Sequence, residues 1–171
     1  GLVILDLDHF HRLSESFSHS AGDAVLAELT QRLRSVTRKS DTLARIGGNT
    51  FALIAENLRQ TRNLIQVCEK VSAQLDAPVI FQGEKIQLSG SIGAAFAGEA
   101  DHDAGNLILH AEQVLSGAKQ IGQNSYVIYN ARSAEDRIRG GLEKAIYHAL
   151  DNCQISMEYQ PQMSIDGQRI Y

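Results

Sequence analysis

Leu43-Ala44-Arg45-Ile46-Gly47-Gly48-Asn49-Thr50-Phe51-Ala52-Leu53-Ile54-Ala55 carries two short β-prone runs on either side of a glycine pair. Glycine and asparagine adopt the positive φ of a tight turn at little cost, so the stretch predicts an antiparallel hairpin. Amino-terminal to it, Leu2-Val3-Ile4-Leu5 is an apolar run stopped by Asp6-Leu7-Asp8, the pattern of a buried strand ending in two acids. Between these two segments, Val25, Leu26, Leu29, Leu33 and Val36 recur at three- and four-residue spacing. Asp23 lies near the start of that run and Arg34 and Arg38 near its end, as the helix dipole favours. A helix over 22–38 is predicted, entered from a polar loop.

Carboxyl-terminal to the hairpin, Leu64, Ile65, Val67, Cys68, Val71 and Leu75 predict a helix over 61–75, ended by Pro78. Val79-Ile80-Phe81 and Lys85-Ile86-Gln87-Leu88 flank Gln82-Gly83-Glu84 as a second small hairpin, and 91–96 reads as a further strand. Leu107, Ile108, Ala111, Val114, Leu115 and Ala118 predict a helix over 104–119 with Gly122 as its stop, and 126–129 reads as a late strand. Strands alternating with helices, with antiparallel hairpins added, predict an α/β fold with a mixed central sheet and flanking helices. After Tyr129 the character changes. A charged helix over 134–150 and a strand at 156–162 predict a linker and the opening of another domain.

The 171 residues suffice for a self-supporting core, and 43% hydrophobic with 21% charged residues excludes a disordered chain. Two cysteines are too few for a disulfide framework, and the helical pattern around Cys68 predicts a buried free thiol in a reducing, cytoplasmic setting. A net charge of -4 supplies no basic field for a nucleic-acid backbone, although a single nucleotide stays compatible. No apolar run approaches the roughly 20 residues of a bilayer span, so no membrane contact is expected of this segment, whatever tethers a larger parent.

Two acids at a strand end serve either to hold Mg²⁺, which prefers a few carboxylates plus phosphate oxygens, or to cap the following turn. Asp6 and Asp8 fit both uses. His9, His11 and His19 crowd the first loop, but no acid or cysteine completes a transition-metal set, so exposed loop side chains are expected.

Taken in order, Asp6-Leu7-Asp8-His9-Phe10, Ser18-His19-Ser20-Ala21-Gly22-Asp23, Arg38-Lys39-Ser40-Asp41 and Arg45-Ile46-Gly47-Gly48-Asn49-Thr50-Phe51 resemble the GGDEF family of diguanylate cyclases. Ser91-Ile92-Gly93 is similar to the family's central strand and Ala118-Lys119-Gln120-Ile121-Gly122-Gln123-Asn124 to its late helix ending. The resemblance implies a nucleotide cyclase/polymerase palm-like fold over 1–130, with the family's leading helices absent, and a linker helix over 131–154. Glu158-Tyr159-Gln160-Pro161-Gln162 looks like the opening of an EAL phosphodiesterase domain, with 155–171 as its first strand.

In that family two GTP-loaded domains face each other and form cyclic di-GMP with the help of metal ions. By resemblance, Asp6 and the backbone carbonyl of Leu7 bind Mg²⁺, and the signature Gly47-Gly48-Asn49-Thr50 supplies the catalytic turn. Its third position, an acid in active members, is Asn49, and its fourth is Thr50. Ser14 stands at the guanine-contacting asparagine, His11 at a phosphate-facing lysine and Gln123 at a basic position, while Asp23 and Lys119 match as guanine and phosphate contacts. An amide brings no negative charge and cannot act as a base, so a degenerate, inactive cyclase domain that regulates its own EAL domain is expected. Residual cyclase activity on GTP is the alternative. So is reception of cyclic di-GMP at Arg38 and Asp41, which resemble the family's RxxD inhibitory site. A homodimer is compatible with each of these.

Overall fold

A computed structural model of the chain describes residues 1–17, 19–97 and 103–129. The elements run β1 (Leu2–Leu7), α1 (Phe10–Phe17), α2 (His19–Val36), β2 (Thr42–Arg45), β3 (Thr50–Ile54) and α3 (Thr61–Ala73). They continue with β4 (Val79–Phe81), β5 (Glu84–Ile86), β6 (Gly90–Ala95), α4 (Ala104–Ile121) and β7 (Tyr126–Tyr129). The expected linker helix and last strand lie outside the described residues.

The main sheet has the order β2-β3-β1-β6-β7, with β6 and β7 parallel and the other neighbours antiparallel. A mixed sheet is what the sequence predicts. β4 and β5 form a separate two-stranded ribbon whose turn places Gln82 at φ 50° and Gly83 at φ 87°, the left-handed pair a two-residue hairpin demands. The Gly47-Gly48 turn departs from expectation, because neither glycine has a positive φ. Its reversal is spread over the four residues between Arg45 and Thr50 and closed by Ile46 N–H donating to the Thr50 carbonyl at 3.0 Å, so no residue needs the left-handed region.

The polar stretch read as a loop is largely helical. α1 fills 10–17, and α2 begins at His19 rather than at 22. Phe10 and Leu13, three residues apart, lean on the main core and give this short helix its apolar side.

Strand alternation gives β1 two distinct faces. Val3, Leu5 and Leu7 join Val25, Leu29 and Leu33 of α2 and Leu64, Cys68 and Val71 of α3 in the principal core. Leu2 and Ile4 point the other way, to a smaller cluster with Ala95, Ala111 and Leu115 under α4. Arg32 ties α2 to the loop before β4, pairing with Glu28 at 2.8 Å and donating to the Pro78 carbonyl at 3.0 Å. Cys68 is a free thiol deep in the core, and burial pushes it up to about 12.

The approach of α4 to the sheet depends on Gly93. A Cβ added there would stand 2.2 Å from the Ala111 carbonyl oxygen and 2.6 Å from Leu115 Cβ, so only glycine lets the helix backbone sit this close to β6. Gly117, on the same helix, has open space at its Cβ position. Gly93→Ala is therefore expected to destabilise the chain by about 1–3 kcal/mol or more through overpacking. Gly117→Ala should be neutral or stabilising by up to about 1 kcal/mol through helix propensity. Urea unfolding of the two variants checks the contrast, and equal midpoints would discard it.

Candidate functional site

One more step along the Leu2 and Ile4 face of β1 brings Asp6 to the end of the sheet, on the side covered by α4. The antiparallel registers pair Asp6 with Thr50 of β3 on one side and with Ser91 of β6 on the other. Direct cross-strand partners share a face, so Thr50, Asp6 and Ser91 form a polar row at the sheet's end. On α4, Ala111, Leu115 and Lys119 lie at four-residue intervals and make one stripe. The first two pack on the sheet and the third arrives above Asp6.

These elements converge on the Asp6 carboxylate. Lys119 Nζ lies 2.9 Å from Oδ1, with the Lys119 side chain 45% and the Asp6 side chain 16% exposed. Asn49 Nδ2 donates to Asp6 Oδ1 at 3.2 Å and to the Leu7 carbonyl at 2.8 Å. Thr50 Oγ1 donates to Asp6 Oδ2 at 2.9 Å. Both neighbours of the Asn49 amide nitrogen are pure acceptors, which fixes the amide with its NH₂ toward β1. The backbone reinforces that placement, as Leu7 N–H donates to the Asn49 carbonyl at 3.1 Å. Arg45 holds the turn from outside, donating through Nη2 to the Gly48 carbonyl at 2.6 Å and through Nε to that of Gly47 at 3.1 Å.

Asp8 lies two residues further on, directly after the end of β1. Ser91 Oγ donates to its Oδ1 at 3.0 Å, while its Oδ2 is buried and, among the described residues, has no hydrogen-bond partner. Burial raises the Asp8 carboxyl above its ordinary range, with Asp6 adding in the same direction and the Ser91 hydroxyl, His9 and Lys119 opposing. Asp8 is thus neither a helix cap nor an exposed acid. Ser91 is the partner that sequence reasoning did not assign to the site, whereas Thr50 is a signature position whose bond to Asp6 only the structure gives. The available signal for Ser91 was a polar residue inside a strand of otherwise small and apolar residues.

A cleft of about 470 Å³ opens over this end of the sheet, lined by Asp6, Asp8, His9, His11, Asn49, Lys119 and Gln123 among others. Of the residues assigned to a nucleotide, His11 and Lys119 line it. Asp23, exposed on α2, is not among its lining residues, and Ser14 belongs to α1. Arg38 and Asp41 share a hollow of only about 20 Å³ at the opposite end of α2. The Asp41 carboxylate there accepts from the Arg38 backbone N–H at 3.1 Å, Ser40 Oγ at 3.2 Å and the Glu56 backbone N–H at 3.2 Å, so it closes a turn.

Asp6 and the Leu7 carbonyl are the atoms expected to hold Mg²⁺, and their donor set does not fit a divalent cation. Both Asp6 oxygens and the Leu7 oxygen already accept from protein groups, one of them cationic. The neighbouring side chain at 49 offers an amide where a second carboxylate would bring charge. Among the described residues, no group of three or more His, Cys, Asp or Glu side chains is placed to hold a metal ion. No helix among them is long and apolar enough to cross a membrane.

Residues 1–125 match the family described as "Diguanylate cyclase, GGDEF domain". The chain is 28% identical over 169 residues to the bifunctional diguanylate cyclase/cyclic di-GMP phosphodiesterase MucR of Pseudomonas aeruginosa, covering 95% of this chain and 24% of that protein. Among solved structures, it is similar to an EAL/GGDEF domain protein from M. capsulatus at 32% identity and TM-score 0.69, covering 75% of this chain and 83% of that one. It is also similar to the active GGEEF domain of a diguanylate cyclase from Vibrio cholerae at 27% identity and TM-score 0.66, covering 75% and 81%. The chain spans only 20–24% of the length of MucR and two further curated relatives, and no more than 35% of another.

The raised Asp8 carboxyl fixes the sign of a pH effect. Between its ordinary value near about 4 and its raised folded value, the folded chain binds more protons than the unfolded one, so stability from this group falls as pH rises through that window. Relative to Asp8→Asn, which keeps an acceptor for Ser91 without the charge, the natural chain should lose stability from mildly acid to neutral pH. Urea midpoints of both proteins at several pH values check it, and a difference that is flat or of opposite slope refutes it.

Proposed function

We propose a function from this premise: the chain belongs to the GGDEF family of diguanylate cyclase domains over residues 1–125, and within that family it is a regulatory module that does not itself condense GTP. The observation that carries the reading is the Asn49 amide, which donates at once to Asp6 and to the Leu7 carbonyl. Where an active site would present acceptors to a metal ion, this chain turns a donor inward. Asn49 cannot take a proton from an attacking hydroxyl at neutral pH, nor can Thr50, whose hydroxyl is already given to Asp6. Phosphoryl transfer rests on positioning and on electrostatic stabilisation of the reacting phosphates, and single lost contacts of that kind typically cost about 10²–10³ in rate. Several are lost together here.

The module's place is beside an EAL domain. The match to MucR spans 95% of the chain and so runs past residue 125, and that relative is named for both activities. Residues 158–162, similar to the opening of an EAL domain, fall in that shared extension. The reading is therefore a cyclase-derived domain that controls cyclic di-GMP hydrolysis by the domain following it, through contact between the two.

With GTP and Mg²⁺ or Mn²⁺, at protein concentrations that allow two copies to meet, the 171-residue chain is expected to make no cyclic di-GMP above an enzyme-free control. Chromatography of the products reads this directly. Product that disappears in Asp6→Ala would establish an active cyclase and end the proposal. In the parent protein, removal of residues 1–129 should alter the rate of cyclic di-GMP hydrolysis, and an unchanged rate would remove the regulatory half.

A further inference from the structure

We infer that this domain carries a built-in substitute for a divalent cation: Lys119, Asn49 and Thr50 together occupy the coordination of Asp6 and the Leu7 carbonyl, so the cleft is metal-independent. The inference deepens the reading of an inactive cyclase and rests on it. It concerns how the site is held together, not only what the site no longer does.

The geometry supports a substitute rather than a simple loss. Had the cation merely been lost, the Asp6 carboxylate, only 16% exposed, would stand beside the Leu7 carbonyl with its acceptors unmet, a costly state for a largely buried group. Each of those acceptors is met. The Lys119 ammonium supplies the positive charge at 2.9 Å, the Asn49 amide donates to both the carboxylate and the Leu7 carbonyl, and the Thr50 hydroxyl donates to the second carboxylate oxygen at 2.9 Å. A divalent ion needs several anionic oxygens to repay its dehydration, and here it would have to displace an ammonium and two neutral donors from a single carboxylate. The protein donors are covalently part of the fold and lose little further freedom on binding. They keep the site as free ions cannot.

The substitute is coupled to the scaffold on three sides. Thr50 is delivered by the β1–β3 register, Asn49 by the turn that Arg45 clasps, and Lys119 by the helix that Gly93 admits. An anionic ligand entering the cleft therefore meets Lys119 already paired and must compete with Asp6 for it. The class of ligand that suits such a cleft is neutral or carries little phosphate charge, not a metal-loaded triphosphate.

Thermal unfolding and metal titration of the intact 171-residue chain test the inference. The natural chain should melt at the same temperature in EDTA and in millimolar Mg²⁺. Asn49→Asp is nearly isosteric but turns an acceptor toward Asp6 and Leu7, and in EDTA it should melt roughly 3–10 °C lower, with Mg²⁺ restoring much of the loss. A natural chain stabilised by Mg²⁺, or an Asn49→Asp chain as stable as the natural one in EDTA, overturns the inference. Calorimetric titration of Mn²⁺ into the natural chain keeps the test decisive if the variant does not fold. Saturable binding that vanishes in Asp6→Asn refutes the substitute, whereas no binding, or heat that survives Asp6→Asn, supports it. Metal binding without product would sink this inference and leave the inactive-cyclase reading standing. Formation of cyclic di-GMP would sink both.

Discussion

The closeness of α4 to the sheet at Gly93 is the constraint on which the site depends. With no side chain at that position, the helix backbone lies against β6, and Ala111 and Leu115 fill the space over Leu2 and Ile4. The stripe that begins with those two residues ends at Lys119, so the distance between helix and strand sets the distance between ammonium and carboxylate. A helix held farther off would still bury apolar surface. It would not bring Lys119 to within 2.9 Å of Asp6.

The two faces of the sheet divide the labour. On one, large aliphatic side chains of β1, α2 and α3 form the principal core and supply most of the apolar burial. On the other, small residues under α4 allow close approach, and the polar row of Thr50, Asp6 and Ser91 lies at that face's end. Exchanges at the signature turn therefore touch none of the large core side chains. That separation makes the fold independent of which polar side chain stands at 49, because residue 49 belongs to neither core cluster.

Much of the scaffold was legible in the sequence. The helices over α2, α3 and α4 announce themselves by three- and four-residue spacing, and the strands by short apolar runs, because both signals reflect burial of a single face. α1 was not legible, since only Phe10 and Leu13 lean on the core, Phe17 is exposed, and the other residues are polar. The β2–β3 turn was foreseen as a reversal but not in its form, for Gly47 and Gly48 suit a two-residue turn as well as the four-residue one adopted. Of the site, resemblance supplied the identities of Asp6, Asn49, Thr50 and Lys119. It did not supply their connections. Register placed Thr50 opposite Asp6, and register is a long-range property that no local pattern encodes.

The orientation of Asn49 shows why residue identity underdetermines chemistry. An amide has an oxygen that accepts and a nitrogen that donates, so the identity of asparagine at 49 is by itself compatible with a weak metal ligand. What decides between the two ends is the company they keep. Here the neighbours are a carboxylate and a carbonyl, each of which repels an oxygen and attracts an N–H, and Lys119 already supplies the positive charge that a metal would have brought. With the amide turned donor-inward, the nearby charges change meaning as well. Asp6 and Lys119 are each other's counter-ions at 2.9 Å, so neither charge faces the cleft unpaired. On the proposed reading, holding a metal at this site would require more than an acid at 49, because the ammonium over Asp6 would have to be released at the same time.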